Sequence, residues 1–201
     1  MAFNINNFIT NMKKDGFRPN LFEILITLPG NLNIGTPTQT AGSTTSQFTF
    51  KAKATAIPGS TLGVAPLSYF GRTAKFAGNR TFDNWTVSVI MDETDFDRIG
   101  TRGMFENWSS LINKHVQNTR AVDLVEPSQT GYFGRGEIIP YGKSGNDLSA
   151  RYYMEGCFPI DVGPMPLDWG QNDTIAEFSV TFAYQWWNSN AATLQNDSNL
   201  V

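Results

Sequence analysis

Residues 136–144 read GEIIPYGKS, and a glycine followed by Gly-Lys-Ser is the order in which a loop cradles phosphates. That cradle needs four residues between its glycines, whereas five separate Gly136 from Gly142. It also needs consecutive free backbone N–H groups, and Pro140 removes one. The segment therefore reads as a hairpin turn. GYFGRG at 131–136 inverts the dinucleotide-binding order with no helical pattern behind it, so its glycines are assigned to turns. DETDFDRIG at 92–100 has the acids of a calcium loop but lacks the glycine at its sixth place and the closing glutamate. Its acids suit the start of a helix instead. His115 is the single imidazole and Cys157 the single thiol. A serine or cysteine nucleophile would need that histidine as base, and a zinc site would need further ligands. His115 falls near the end of a helical pattern, where a cation is favoured, and Cys157 suits a buried strand position as a small hydrophobe. Spacing cannot reveal carboxylates paired across a β fold. No catalytic, cofactor-binding or metal-binding residue is assigned, and no cofactor is expected.

Composition points toward assembly instead. Only 16% of the 201 residues are charged, below the usual share of about 25%. Fifteen Phe, six Tyr and five Trp supply the residues that cores and protein interfaces favour. The net charge is −3, and the densest cations are Lys13, Lys14 and Arg18. No basic cluster is available to grip a phosphate backbone. A lone cysteine implies no internal disulfide, the first residues lack a signal-peptide pattern, and no apolar run would anchor the chain in a membrane. The expectation is a protein made and kept in a cytoplasm.

The elements that must position any site are mostly strands. Phe22, Ile24, Ile26 and Leu28 alternate into one apolar face, and Phe48 to Ala54 alternate in the same way. Between them, residues 31–47 are rich in Gly, Thr and Ser and are expected to form an inserted exposed loop. VAPLSYFGRTAKFAG predicts two short strands, with Pro66 confining the first to an edge. Trp85, Val87, Val89 and Met91 predict a half-buried antiparallel strand. At Thr94 the period changes: Thr94 with Asp97 forms a capping pattern, and Phe105, Trp108, Ile112 and Val116 follow at helical spacing. Gly100 and Gly103 delay the regular helix to about Arg102. Strands around 131–142 and 151–160 and a long alternating strand ending at Trp187 complete the set, with residues 188–201 as a polar tail. The fold class is mainly β (α+β): a single domain over 1–201, an antiparallel sandwich or barrel-like fold with one main flanking α-helix.

Four stretches carry a more specific signal: RPNLFEILI, FTFKAKATAIPG, AGNRTFDNWTVSVIMDE and GCFPIDVGPMPLDWGQNDTIAEFSVTFAYQWW. In this order, from about Arg18 to Trp187, they resemble the tail tube proteins of contractile-tailed bacteriophages, relatives of type VI secretion tubes. The resemblance implies a structural subunit without enzymatic activity. Copies would form hexameric rings stacked into a tube, with a tail sheath protein around it and baseplate and terminator proteins at its ends. DNA would pass through the lumen without specific binding. The location would be the virion tail, after assembly in the host cytoplasm. A tube-like baseplate or terminator component, or a secretion-system tube protein, is the alternative within that family. A ligand-binding β-sandwich or a carboxylate hydrolase is the alternative from another class.

A subunit of that kind needs margins that copies of itself can complete. GNRTFDNW is read as a rigid corner: Gly78 and Asn79 turn the chain, Arg80 pairs with Asp83, and Trp85 anchors the next strand. Whether Arg80, Asp83 and Trp85 hold the corner or touch a neighbouring subunit stays open. Pro58, Gly59, Leu62, Tyr69 and Phe70 are the candidates for stacking one ring on the next.

Overall fold

The computed structural model describes residues 5–12, 16–29, 51–96, 100–120, 131–144, 148 and 150–190. The expected loop at 31–47 lies outside them, as do Phe48 to Phe50 and Asp97. In chain order the elements are α1 (Ile5–Asn11), β1 (Phe22–Thr27), β2 (Ala52–Thr55), β3 (Ser60–Tyr69), β4 (Arg72–Phe82), β5 (Trp85–Ile90), α2 (Thr101–Ile112), β6 (Gly134–Pro140), β7 (Tyr152–Val162), β8 (Glu177–Ala183) and β9 (Trp186–Ser189). A short 3-10 helix, Glu93–Phe96, precedes α2.

The strands form two antiparallel layers joined by β7. Its first half pairs with β6 and β9, and β6 pairs with β1. Its second half pairs with β8, which continues to β5 and β2. Gly156 stands between the two halves at φ 64°, a backbone sign that favours glycine. Among the described residues the sheet is open: β1 and β2 end it and do not bond to each other. The fold is thus mainly antiparallel β and not a closed barrel.

Alternation explains which faces meet. Ile24 and Ile26 of β1, Trp85, Val87 and Val89 of β5, and Phe178, Val180 and Phe182 of β8 are all buried in one core. Helix α2 closes it with Met104, Phe105 and Trp108. Aromatic rings converge on Phe182, with centroids at 5.2 Å for Trp85, 5.5 Å for Phe105 and 6.3 Å for Trp108. Two glycines assigned to turns lie within β6 instead. A Cβ at Gly134 would stand 2.6 Å from the Trp108 ring, and one at Gly136 would stand 2.6 Å from the Trp85 ring. Indoles packed this close to the strand leave room only for glycine there. Cys157 is buried, and burial pushes its thiol pKa up, as its small-hydrophobe role implies.

The long last strand is two strands. After Ala183 the pairing passes from the second half of β7 to the first, and β9 carries the ladder to Ser189. Asn188 and Ser189, assigned to a polar tail, therefore pair with Tyr153 and Tyr152. Helix α1 was not foreseen; seven residues rich in Asn and Thr carry little periodic signal.

Asp95 holds the entry to α2, with Gly100 at the N-cap and no side-chain cap from it. The Asp95 carboxylate is 2% exposed. Its oxygens accept hydrogen bonds from Lys51 Nζ at 2.8 Å, the Asp92 N–H at 2.8 Å and the Thr101 N–H at 2.9 Å. Burial by itself raises the carboxyl pKa, but the bonds from Lys51, Thr101 and Asp92 outweigh it and hold the group below its ordinary value. A lowered folded-state pKa stabilises the fold above the ordinary value of about 3.9, and that stability is lost as pH falls through the folded value. Asp95→Ala should cost about 3 kcal/mol at pH 7, since it strands two N–H donors and leaves Lys51 only the longer ion pair with Asp92 at 3.8 Å. Urea unfolding followed from pH 7 down to pH 3 checks this: the gap between wild type and variant should narrow below about pH 4.

Candidate assembly interface

The β3–β4 hairpin belongs to neither layer. Among the described residues its strands pair only with each other, over ten and eleven residues, and form a separate two-stranded sheet. Val64 to Ala77 are all exposed. Ala65 faces Phe76, Leu67 faces Ala74 and Tyr69 faces Arg72 across the ladder, so Leu67, Tyr69 and Phe76 share one face. Leu62 and Val64 are exposed as well. An isolated two-stranded ribbon is marginal in water, and a long apolar one carries surface that folding alone does not bury.

At the tip, Phe70 and Gly71 have φ values of 44° and 76°. Both signs are those of a type I′ turn, which favours Asn and Gly. A phenylalanine there costs about 1–3 kcal/mol of local strain, yet its ring is 89% exposed, edge-on to Tyr69 at 4.5 Å. Such a residue contributes nothing to its own chain's core. It suits a contact with something else.

The root of the hairpin is held firmly. Trp85 Nε1 donates to Thr55 Oγ1 at 2.7 Å, and Trp187 Nε1 donates to the Gly59 carbonyl at 3.2 Å. Phe82 packs against the core beside Tyr184, with ring centroids 6.0 Å apart. Further along, Gly63 and Gly78 oppose each other at a register shift. A Cβ on Gly78 would stand 3.0 Å from the Gly63 backbone, so glycine permits the strands to close there.

These positions revise the expected corner. Gly78, Asn79 and Arg80 lie inside β4, and the chain turns later, at Asp83 and Asn84. Arg80 Nη1 donates to Ser60 Oγ at 2.8 Å across the hairpin, and no ion pair joins it to Asp83. β4 runs unbroken through Gly78 to Phe82, so the glycine marks a close approach of two strands and not the turn. Trp85 is a core residue. Of the stacking candidates, Leu62, Tyr69 and Phe70 sit on the exposed hairpin, while Pro58 and Gly59 occupy its root. The two short strands expected here are one long hairpin.

Chemistry elsewhere is sparse. His115 lines an open cleft of about 420 Å³ with Glu106, Ser109 and Asp161, and no hydrogen bond joins it to Ser109. Among the described residues, no three His, Cys, Asp or Glu side chains stand close enough to hold a metal ion. No described helix is long and apolar enough to cross a membrane.

Residues 17–190 match the family model described as phage tail tube protein. The chain belongs to that family. As a tail tube protein it is a structural component of a virion tail. It is 29% identical to the tail tube protein gp19 of Enterobacteria phage T4 over 173 residues, covering 86% of this chain and 91% of the relative. With the corresponding protein of Enterobacteria phage T6 the identity is 30% over the same lengths. The fold is also that of solved contractile injection systems. A chain of the anti-feeding prophage baseplate has a TM-score of 0.58 at 11% identity, covering 88% of this chain and 96% of that one. A chain of an extracellular contractile injection system's sheath-tube complex has a TM-score of 0.56 at 12% identity, covering 90% and 95%.

Proposed function

We propose that this tail tube protein builds a hollow tube from hexameric rings stacked through the β3–β4 hairpin, without catalysing a reaction. The observation that carries this reading is the hairpin itself: rigidly rooted, paired only with itself, and apolar at its exposed tip. Open strands at β1 and β2 offer further margins for lateral closure of a ring. A head-to-tail contact generates a ring where its rotation closes and an open array where it does not, and a tube needs both.

The low charge of the chain and its net charge of −3 suit a conduit through which DNA slides, since phosphate contacts would arrest it. A surrounding sheath, and baseplate and terminator proteins at the ends, complete the reading, with assembly in the host cytoplasm before incorporation in the tail. The solved sheath-tube complex and the terminator and cap assemblies of similar fold support these partners by analogy of architecture. Negative-stain microscopy of the purified chain tests the reading: long hollow tubes are expected, and a chain that stays monomeric at high concentration contradicts it.

A further inference from the structure

The charges of this chain are unevenly spread along its sequence. Residues 56–82, which contain the hairpin, hold Arg72, Lys75 and Arg80 and no acid. From Tyr152 to Val201 there are six acids and no Lys or Arg. Among the described residues no acid forms an ion pair with Arg72, Lys75 or Arg80.

Register places the root of the basic hairpin at one end of a layer and Asp168, Asp173 and Glu177 at the other, whereas Asp161 faces Thr181 nearer the hairpin and Glu155 faces Trp186. The hairpin leaves and returns beside Thr55 and Trp85, where β5 begins and Trp85 faces Phe182 near the end of β8. The segment at 163–176 joins β7 to the start of β8, where Glu177 faces Ile90 at the far end of β5. Six residues of strand, about 17 Å, lie between the two ends. Cations at the second end are already engaged: Lys51 with Asp95, Lys53 with Glu177 and Arg102 with Glu106. Asp168 and Asp173 are not engaged by any of them.

This second end also presents an apolar anchor. The Trp169 side chain is 101% exposed, with Leu167 and Ile175 exposed beside it. Its setting is prebuilt: Asp168 Oδ1 accepts the Gly170 N–H at 2.9 Å, and the Asp168 carbonyl accepts the Gln171 N–H at 3.2 Å. A tryptophan displayed on a fixed turn, in a loop with Asp168 and Asp173, suits an anchor for binding.

We propose that the basic, apolar hairpin of one copy docks on the acidic Trp169 loop of a second copy. Trp169 of that copy seats against the Leu67–Phe76 face, Arg72 on that same face lies against its Asp168 and Asp173, and Lys75 on the opposite face adds to the attracting field. Because the two surfaces are unlike, the contact is head to tail, and with the hairpin rooted at one end of the layer and the loop at the other it repeats as an open array, as stacking needs. It rests on the tube-subunit reading above and names the surface that receives the arm. Oppositely charged patches around an apolar centre select the register and reject like ends.

Four variants of the full chain test this by pelleting of polymer and microscopy. R72E/K75E reverses the arm. D168N/D173K reverses the loop while leaving an acceptor at 168 for the Gly170 N–H. The third chain carries all four changes. Each double variant should stay folded by circular dichroism and raise the critical concentration about tenfold or more, and wild-type assembly should weaken as salt rises. The fourfold variant should recover to within about threefold of wild type, since both ends are reversed together. Trp169→Ala should weaken assembly about tenfold or more with no recovery from charge. Overturning results are a folded D168N/D173K chain that assembles normally, or a fourfold variant no better than the doubles. If wild type itself never polymerises, the tube reading fails. If it does and charge reversal is silent, only the docking surface fails.

Discussion

Replacing residues 62–80 by Asn-Gly, so that Thr61 joins Thr81 through a two-residue turn, leaves a folded chain that does not polymerise. Thr61 and Thr81 face each other across the ladder, a spacing that a two-residue loop spans. What is removed makes no contribution to the core, whereas Phe82, Trp85 and Thr55 stay in place. The unfolding free energy should change by less than about 1 kcal/mol, as for surface changes generally. Assembly loses the exposed Leu67, Tyr69, Phe70 and Phe76 together. Each apolar side chain buried in a contact is worth about 1.5–3 kcal/mol, and each 1.4 kcal/mol is about tenfold in affinity. A rise of at least about a hundredfold in critical concentration is therefore expected, read by sedimentation beside a thermal melt.

Phe182→Ala produces the opposite pattern. The ring has no exposure and meets Trp85, Phe105 and Trp108, which come from β5 and α2. Truncation leaves a cavity that two indoles cannot both collapse into, at about 3–5 kcal/mol. For a chain of this length that corresponds to a fall of about 10 °C in melting temperature. Below its lowered midpoint the variant should still form tubes, because the hairpin and the Trp169 loop are untouched. A chain that melts normally and fails to assemble, beside one that melts early and assembles, separates the core from the arm.

The contrast matches what the sequence makes legible. Strands with one face on the core alternate, and β1, β5 and β8 are readable because Ile24, Val87 and Phe182 have a buried side and their neighbours do not. The hairpin has no buried side, so no alternation marks it, and Pro66 and two glycines made it look like broken edge strands. The helix entry depends on Asp95, whose partner Lys51 is 44 residues away, a contact that local spacing cannot predict. Leu62, Tyr69 and Phe70 stand out in the sequence by turn and edge character and are exposed on the hairpin, whereas the acid nearest Arg80 in sequence is Asp83 and its hydrogen-bond partner is Ser60 across the hairpin. Trp169 was visible only as part of a constrained turn, since exposure at a loop is a property of the fold. Its signal was the run of fifty residues without a cation around it.

The central claim is that the arm of one copy is completed by another. A cryo-electron microscopy reconstruction of the polymer, at a resolution that traces β3 and β4, tests it most directly. The account predicts that the hairpin of each copy lies against the neighbouring copy along the tube, with Leu67, Tyr69, Phe70 and Phe76 covered. A tube in which that hairpin stands clear of every neighbour, its rings still facing solvent, would contradict it.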